Sequence, residues 1–163
     1  MDQELTRSAA RVQAALAAAG LEVKVREMPV TTRSAQEAAA AIGCSVAEIA
    51  KTVVFKRVNS GRPVLVVASG VNRVDPAMLE GLCGEPAAQA KPDFVRAATG
   101  FVIGGVPPVG FEERLETWID EDLLVFTEVW AAAGTPFAVF AIDPARLAGL
   151  TGGTVARISR VRQ

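Results

Sequence analysis

Two strand-like segments joined by a short turn place the strongest limit on the fold of this chain. Residues 51–56 and 63–68 are rich in β-branched and apolar side chains, and Asn59-Ser60-Gly61 between them is typical of a hairpin turn. The second segment, Pro-Val-Leu-Val-Val-Ala, is almost entirely apolar. We therefore expect this hairpin to lie at the centre of a β-sheet.

Short helices are predicted on both sides of the hairpin in the sequence. Apolar residues recur at helical spacing over residues 5–19, and Gly20 is well placed to end that helix. Two capping-box patterns and two Asp-Pro pairs mark the starts of four more short helices, at Ser34, Ser45, Asp75 and Asp143.

Further strands are predicted where short β-compatible runs lie between Gly, Pro and acidic turn residues. These runs are residues 22–26, 101–103, 116–119, 124–129, 137–142 and 154–158. Hairpin-length connections are too common for a doubly wound parallel sheet. We predict one α+β domain over residues 1–163, with a central mixed sheet, curved or partly closed, surrounded by short helices.

The composition excludes much of the usual catalytic chemistry. The 163 residues include no His and no Tyr, so this chain alone cannot form a Ser-His-Asp triad, a His-ligated zinc site or a His or Tyr general acid. Cys44 and Cys83 are far apart and form no CxxC pattern, and we interpret both as small apolar side chains in a reducing compartment.

Charge and hydropathy indicate a soluble, cytoplasmic protein without a broad nucleic-acid-coating surface. The formal net charge is −1, the N-terminus is acidic, and no run approaches the 18 apolar residues of a membrane helix. A polyanion would have to approach the N-terminal half or a tail containing Arg157, Arg160 and Arg162. We interpret the acidic run at residues 112–122 as a solvated face, because its spacing matches no calcium loop.

Lys51 is the first candidate for a functional side chain. It stands at a helix-to-strand junction, where the following apolar residues draw the backbone into the core and can hold the lysine at a cleft. The alternative is a surface lysine whose alkyl chain packs on the protein while its charge stays in water.

The second candidate is the glycine- and proline-rich segment at residues 99–110. Its glycines let another molecule approach the backbone, and Pro107 and Pro108 stiffen it. Such a segment can polarise a carbonyl or hold a phosphate through backbone N–H groups. The alternative is a tight connection between strands.

Taken in order, these motifs resemble the YbaK/prolyl-tRNA synthetase-associated domain family. The resemblance rests on the Lys51-Thr52 pair, followed about fifty residues later by Thr-Gly-x-x-x-Gly-Gly-x-x-Pro-x-Gly, and it covers most of the chain. It implies a compact domain with a barrel-like sheet that hydrolyses the ester of a mischarged aminoacyl-tRNA, often tRNA(Pro), with no metal or organic cofactor. A synthetase is a further possible partner, and neither DNA nor a membrane is expected.

By motif matching, the resemblance also implies roles for individual residues. Lys51 takes the place of the family's key lysine, holding the terminal phosphate or ribose, and Thr52 lines the same pocket. The Gly-x-x-x-Pro loop corresponds to Gly104 and Pro108, and we expect backbone N–H groups near Gly104 and Gly105 to bind the ester carbonyl.

The resemblance also implies that Pro108, Gly134, Ala132 and Val139 contribute to the substrate-binding pocket, and the chain departs from the family pattern near Gly134. In members that remove Cys from tRNA(Pro), a Ser and an Asp occupy the positions of Ala132 and Val139. The substrate pocket is therefore expected to be less polar, which favours a small side chain such as that of alanine. Pro107 also removes a backbone donor.

Two other functions fit the same sequence. A non-catalytic module of this fold could bind tRNA or a synthetase. An esterase for small molecules would fit the net charge of −1, and it would lack the salt dependence that phosphate contacts give to tRNA binding.

Overall fold

The predicted hairpin forms the centre of an eight-stranded mixed sheet in the computed structural model, which describes residues 5–160. The strand order is β1-β7-β6-β2-β3-β5-β8, and β4 pairs with β2 outside this path. The pairs β2–β6, β3–β5 and β5–β8 are parallel, and the others are antiparallel. The strands are β1 (Arg26–Glu27), β2 (Ile49–Arg57), β3 (Pro63–Ser69), β4 (Ala87–Gln89), β5 (Glu116–Asp120), β6 (Val129–Ala132), β7 (Ala138–Ile142) and β8 (Thr154–Ala156).

Within residues 5–160, five α-helices and three 3₁₀ helices surround this sheet, so the α+β prediction is confirmed. The helices are α1 (Arg7–Ala18), α2 (Ala35–Ile42), α3 (Pro76–Cys83), α4 (Pro92–Thr99) and α5 (Leu147–Thr151), with 3₁₀ turns at Val46–Glu48, Glu121–Val125 and Pro144–Arg146. The predicted caps form: Asp75 accepts N–H bonds at the start of α3, and Asp143 accepts one from Ala145 at 3.0 Å.

Both faces of β3 are buried, which explains its apolar sequence. Leu65 and Val67 pack in the larger core with α1 and the strand β7. Val64, Val66 and Ala68 point to the opposite face and pack in a second core with α3. Only a strand with neighbours on both faces and both edges buries every side chain in this way.

The strand predicted at residues 22–26 is confirmed only at Arg26, because a side chain occupies the hydrogen-bonding edge of residues 23–25. The Gln13 amide donates to the Val23 carbonyl at 2.7 Å and accepts from the Val25 N–H at 2.8 Å. The segment is therefore held against α1, and pairing with β7 begins only at Arg26.

Several other elements differ from the sequence prediction. Residues 101–103 form a turn instead of a strand, and α4 and β4 were not predicted. Residues 121–125 form a 3₁₀ helix because the Asp120 carboxylate accepts the Asp122 N–H at 2.9 Å, so β6 starts only at Val129. The last strand ends at Ala156.

The acidic run and the basic tail are only partly solvated. Glu116 pairs with Arg57, and Asp120 is 1% exposed and accepts the Ser69 N–H at 3.0 Å. In the tail, Arg160 pairs with Asp75, whereas Arg162 lies outside the described residues.

Cys83 is buried, as expected, and Cys44 is half-buried. No helix within residues 5–160 has the length and hydropathy to cross a membrane.

The close approach of α2, the 3₁₀ turn before β2 and the end of β3 gives a stability test at Gly70. A Cβ at this position would lie 2.4 Å from the Val46 carbonyl oxygen and 2.9 Å from the Ala35 Cβ. We expect Gly70→Ala to lower the free energy of unfolding by about 1–3 kcal/mol, measured by urea denaturation.

The matched control is Gly81→Ala in α3. A Cβ at Gly81 would have no atom within 4 Å, so the better helix former should raise stability by up to about 1 kcal/mol. Equal effects of the two substitutions would contradict the packing described at Gly70.

Candidate active site

An uncovered stretch on one edge of β2 opens onto a cavity. On one side β2 pairs with β3 from Ala50 to Lys56. On the other side β6 covers only Ile49 and Ala50, and pairing with β4 begins at Phe55. The intervening residues of β2 have no neighbouring strand on this side, and the cavity opens there.

The cavity has a volume of about 340 Å³ and a largely apolar wall. Small and branched side chains from α2, β2, β6, β7 and α4 form most of this wall. The residues that supply it include Ala35, Ala38, Ile49, Val54, Val95, Val106, Ala131, Ala132 and Val139. This volume lies at the lower end of the range for small-molecule sites.

Thr52 contributes polar groups that the fold leaves unsatisfied. Backbone groups alternate in direction along a strand, and the Val54 carbonyl accepts from the Ala90 N–H at 2.9 Å on the open side. The N–H and carbonyl of Thr52, two residues earlier, therefore face the gap between β6 and β4. The Thr52 hydroxyl oxygen is buried and has no hydrogen-bond partner among the described residues. Such groups are costly unless a ligand or water satisfies them.

Lys51 places an unpaired positive charge at the same cavity. Its side chain is half-buried and forms no ion pair or hydrogen bond with any residue that the structure describes. Burial lowers the pKa of Lys51, and the positive charge of Arg73 lowers it further, whereas the buried carboxylate of Asp120 acts in the opposite direction. A partly desolvated ammonium interacts strongly with any negative charge that develops beside it.

Gly104 brings the glycine-rich segment to the cavity through a tight turn. The Gly105 N–H donates to the Val102 carbonyl at 3.0 Å, and Gly104, the third residue of this turn, has φ +93°. This position favours glycine because a Cβ there is strained. The Gly104 N–H has no acceptor among residues 5–160, whereas the Gly105 N–H is used inside the turn.

Gly105 and Gly134 fix the turn to the loop between β6 and β7. The Gly134 N–H donates to the Gly105 carbonyl at 2.9 Å, and a Cβ on Gly105 would lie 2.7–2.9 Å from the backbone of Thr135. Gly134 itself packs on the Ser8 carbonyl of α1. These two glycines therefore support the cavity wall from behind and do not line it.

The structure brings together most, but not all, of the residues singled out from the sequence. Lys51, Thr52, Gly104, Ala132 and Val139 line one cavity. Pro108 is buried and lines a different hollow, beside α1 and α5.

Sequence reasoning missed several lining residues, which are Thr32, Arg33, Gln89 and Trp130. They come from segments without a distinctive motif, and only the fold places them at the cavity. The guanidinium of Arg26 also lies 5.4 Å from the centre of the Trp130 ring, in a cation–π contact.

The charged lining of the cavity is entirely basic. Lys51 and Arg33 are its only charged residues, and no Asp or Glu of the described chain lines it. No group of three or more His, Cys, Asp or Glu side chains within residues 5–160 is arranged to hold a metal ion. The site can thus stabilise an anion through two cations, a hydroxyl and free backbone donors.

The sequence matches the profile of a known family over most of its length. The aminoacyl-tRNA editing domain family matches residues 30–150. Among curated proteins, "Uncharacterized protein YwhH" of Bacillus subtilis (strain 168) is 31% identical over 77% of this chain and 80% of its own length. "Putative Cys-tRNA(Pro)/Cys-tRNA(Cys) deacylase EbsC" of Enterococcus faecalis (strain ATCC 700802 / V583) is 26% identical over 77% of each chain.

A solved structure has the same fold over nearly the whole chain. It is described as the "crystal structure of a putative trans-editing enzyme for prolyl tRNA synthetase". It superposes with a TM-score of 0.90 and is 47% identical, covering 97% of this chain and 100% of its own.

The unpaired charge of Lys51 predicts a stabilising substitution. Its pKa in the folded state lies below the unfolded value, so the charged ammonium opposes folding at all pH values below the folded pKa. This cost is lost as the pH rises through the folded pKa towards the unfolded one. We expect Lys51→Met to unfold at a higher urea concentration than wild type at pH 7, with the difference shrinking as the pH approaches the ordinary lysine range of about 10.4.

Urea midpoints for both proteins across this pH range provide the measurement. Lys24→Met is the control, because Lys24 is exposed and does not line the cavity. A difference between Lys51→Met and wild type that does not change with pH would show that burial of the charge is not its cause.

Proposed function

This chain belongs to the aminoacyl-tRNA editing domain family, and on that premise we propose that it hydrolyses the ester of tRNA mischarged with a small amino acid, alanine on tRNA(Pro) being the first candidate. The enzyme class is aminoacyl-tRNA deacylase. The observation that carries the proposal is the meeting of Lys51, Thr52 and Gly104 at one cavity, although about fifty residues separate the pair from the glycine.

Hydrolysis of an aminoacyl ester needs little side-chain machinery because the ester is already activated. A water oxygen forms a bond to the carbonyl carbon, the bond from that carbon to the ribose oxygen breaks, and a proton from the water ends on the ribose hydroxyl. The remaining proton leaves as the amino acid carboxyl ionises. Positioning the water, directly or through a ribose hydroxyl, and stabilising the oxyanion therefore suffice without imidazole.

The donors at the cavity suit this chemistry. We assign the Gly104 N–H to the ester carbonyl oxygen, since the Gly105 N–H is already bonded to Val102. The Lys51 ammonium adds positive charge beside the developing oxyanion or the ribose. The Thr52 hydroxyl, buried and unpartnered, can orient the attacking water or the amino group of the substrate.

The small, apolar wall supports a small substrate side chain. Ala132 and Val139 line the cavity where a polar pair would be needed to recognise a thiol or hydroxyl. A pocket of this kind discriminates between side chains by size, at about 1–3 kcal/mol for each methylene. This supports alanine over cysteine or serine, with the tRNA body supplying further selectivity.

Deacylation of Ala-, Cys- and Ser-tRNA(Pro) by wild type and Lys51→Ala tests the activity. We expect wild type to cleave Ala-tRNA(Pro) fastest relative to spontaneous hydrolysis. Lys51→Ala should lower kcat/KM by about 100-fold, the scale of removing one charged donor from an oxyanion site. Lys24→Ala serves as the control, and we expect it to retain wild-type activity.

The same assay discriminates between the competing functions. If wild type cleaves none of the three esters faster than the spontaneous rate yet binds tRNA, the chain is a binding module. Cleavage of small esters with no dependence on salt would instead favour an esterase for small molecules.

Enlarging the cavity tests the proposed basis of selectivity. Val139 is 2% exposed in β7, and Val139→Ala would open space at the wall. We expect this variant to raise kcat/KM for 2-aminobutyryl-tRNA relative to alanyl-tRNA by about 10-fold.

Val129→Ala in β6 is the matched control, because Val129 is equally buried but does not line the cavity. It should lower the free energy of unfolding about as much as Val139→Ala does. It should leave the ratio of kcat/KM for 2-aminobutyryl-tRNA to that for alanyl-tRNA unchanged. If both variants shift the ratio equally, general loosening of the fold explains the effect and the size argument fails.

A further inference from the structure

Arg33 is held at the mouth of the cavity by a fixed backbone. The preceding residue, Thr32, is buried and bonds the Pro136 carbonyl through its N–H at 2.6 Å and its hydroxyl at 3.0 Å. The following residue, Ser34, is the N-cap of α2 and accepts the Glu37 N–H at 3.0 Å. Arg33 itself is exposed and lines the cavity, so a rigid frame presents its side chain there.

The aliphatic part of Arg33 packs directly on the turn that carries Gly104. A Cβ built on Gly104 would lie 2.6 Å from the Arg33 Cγ and 3.3 Å from its Cβ. The absence of a side chain at Gly104 thus allows the arginine stem to cross the turn. This contact couples the position of Arg33 to that of the Gly104 N–H, the donor we assign to the ester carbonyl.

The guanidinium of Arg33 has no partner of its own within the described residues. Two arginines within residues 5–160 do form ion pairs: Arg57 bridges Glu85 and Glu116, and Arg160 pairs with Asp75. Arg33 forms no ion pair, and none of the residues lining the cavity beside it is acidic. Its five N–H donors are therefore free to bind an anion.

The two cations at the cavity differ in depth and in chemistry. Lys51 is half-buried and Arg33 is exposed at the mouth. An aminoacylated 3′ end also has two parts, an ester that must reach the reacting groups and a phosphodiester on the 5′ side of the same ribose. A guanidinium binds phosphate oxygens in a bidentate fork, whereas an ammonium acts as a point charge.

We propose that Arg33 binds the phosphate on the 5′ side of the terminal nucleoside, and that Lys51 acts on the ester and ribose instead. This proposal rests on the proposed deacylase function and divides the two roles between two residues. Arg33 is a binding residue in this scheme: it anchors the substrate at the mouth while its stem keeps the Gly104 turn in place.

Two minimal esters that differ only in this phosphate provide the test. One is adenosine carrying alanine on its 3′-hydroxyl, and the other is adenosine 5′-monophosphate carrying the same ester. Wild type should show a higher kcat/KM for the phosphorylated ester by about 10- to 100-fold, the scale of a hydrogen-bonded charge pair. Arg33→Ala should abolish this ratio, mainly by raising KM for the phosphorylated ester. Arg33→Lys should retain part of the ratio, because it keeps the charge and loses the fork.

The control is Arg62→Ala, since Arg62 is exposed beside the hairpin turn and does not line the cavity. It should leave the ratio unchanged. If Arg33→Ala slows both esters equally, the arginine only supports the Gly104 turn and the proposal is overturned. An unchanged ratio in Arg33→Ala also overturns it.

A binding measurement separates failure of this proposal from failure of the deacylase function. We expect wild type to bind adenosine 5′-monophosphate more tightly than adenosine, and Arg33→Ala to bind the two equally, as measured by calorimetry. If wild type cleaves neither ester but shows this difference in binding, the deacylase function fails and the phosphate site stands. If wild type binds both nucleosides equally, the phosphate site is overturned, whatever the catalytic result.

Discussion

The candidate site depends on the unequal coverage of one long strand. β2 has nine residues and a continuous partner in β3, but its other edge is shared between β6 at one end and β4 at the other. Neither strand reaches Thr52, so its N–H and carbonyl face the gap, and its buried hydroxyl has no hydrogen-bond partner among the described residues. Unsatisfied polar groups beside an apolar cavity are costly to a fold unless a ligand uses them. The gap is thus best understood as a binding feature.

The glycine-rich turn at Gly104 and Gly105 completes the cavity beside this gap. Each glycine is needed there for a different physical reason. Gly104 provides a positive φ and room for the Arg33 stem, whereas Gly105 lets the turn approach the backbone of Thr135. Gly134 donates its N–H to the Gly105 carbonyl and packs on the Ser8 carbonyl of α1. The glycine-rich motif therefore supplies one residue at the cavity surface, while the others hold the loops together. An alanine at Gly105 would disturb the site indirectly, by separating these loops.

Much of the central sheet and part of the site could be predicted from the sequence, for identifiable reasons. The apolar run of β3 and the Asp75 cap are local signals, and both were interpreted correctly. The segment at residues 23–25 has the alternation of a strand but is bonded by Gln13, a contact that only the packing of α1 creates. Arg33 and Gln89 are surface-like residues without a motif, and tertiary structure alone brings them to the cavity. Pro108 belongs to the motif, yet the turn directs it to another hollow.

The lack of histidine becomes less of a restriction once the donors at the cavity are counted. A general base contributes most when the nucleophile must be strongly activated, whereas an aminoacyl ester is already reactive enough for a positioned water. Stabilisation of the oxyanion is then the dominant requirement, and in the proposed reaction we assign it to the Gly104 N–H and the Lys51 ammonium. Lys51 is half-buried and forms no ion pair within residues 5–160, and burial lowers its pKa, so its positive charge opposes folding. In the proposed reaction this charge gains most when negative charge develops on the substrate, so the same desolvation that opposes folding favours binding of the transition state over the ground state.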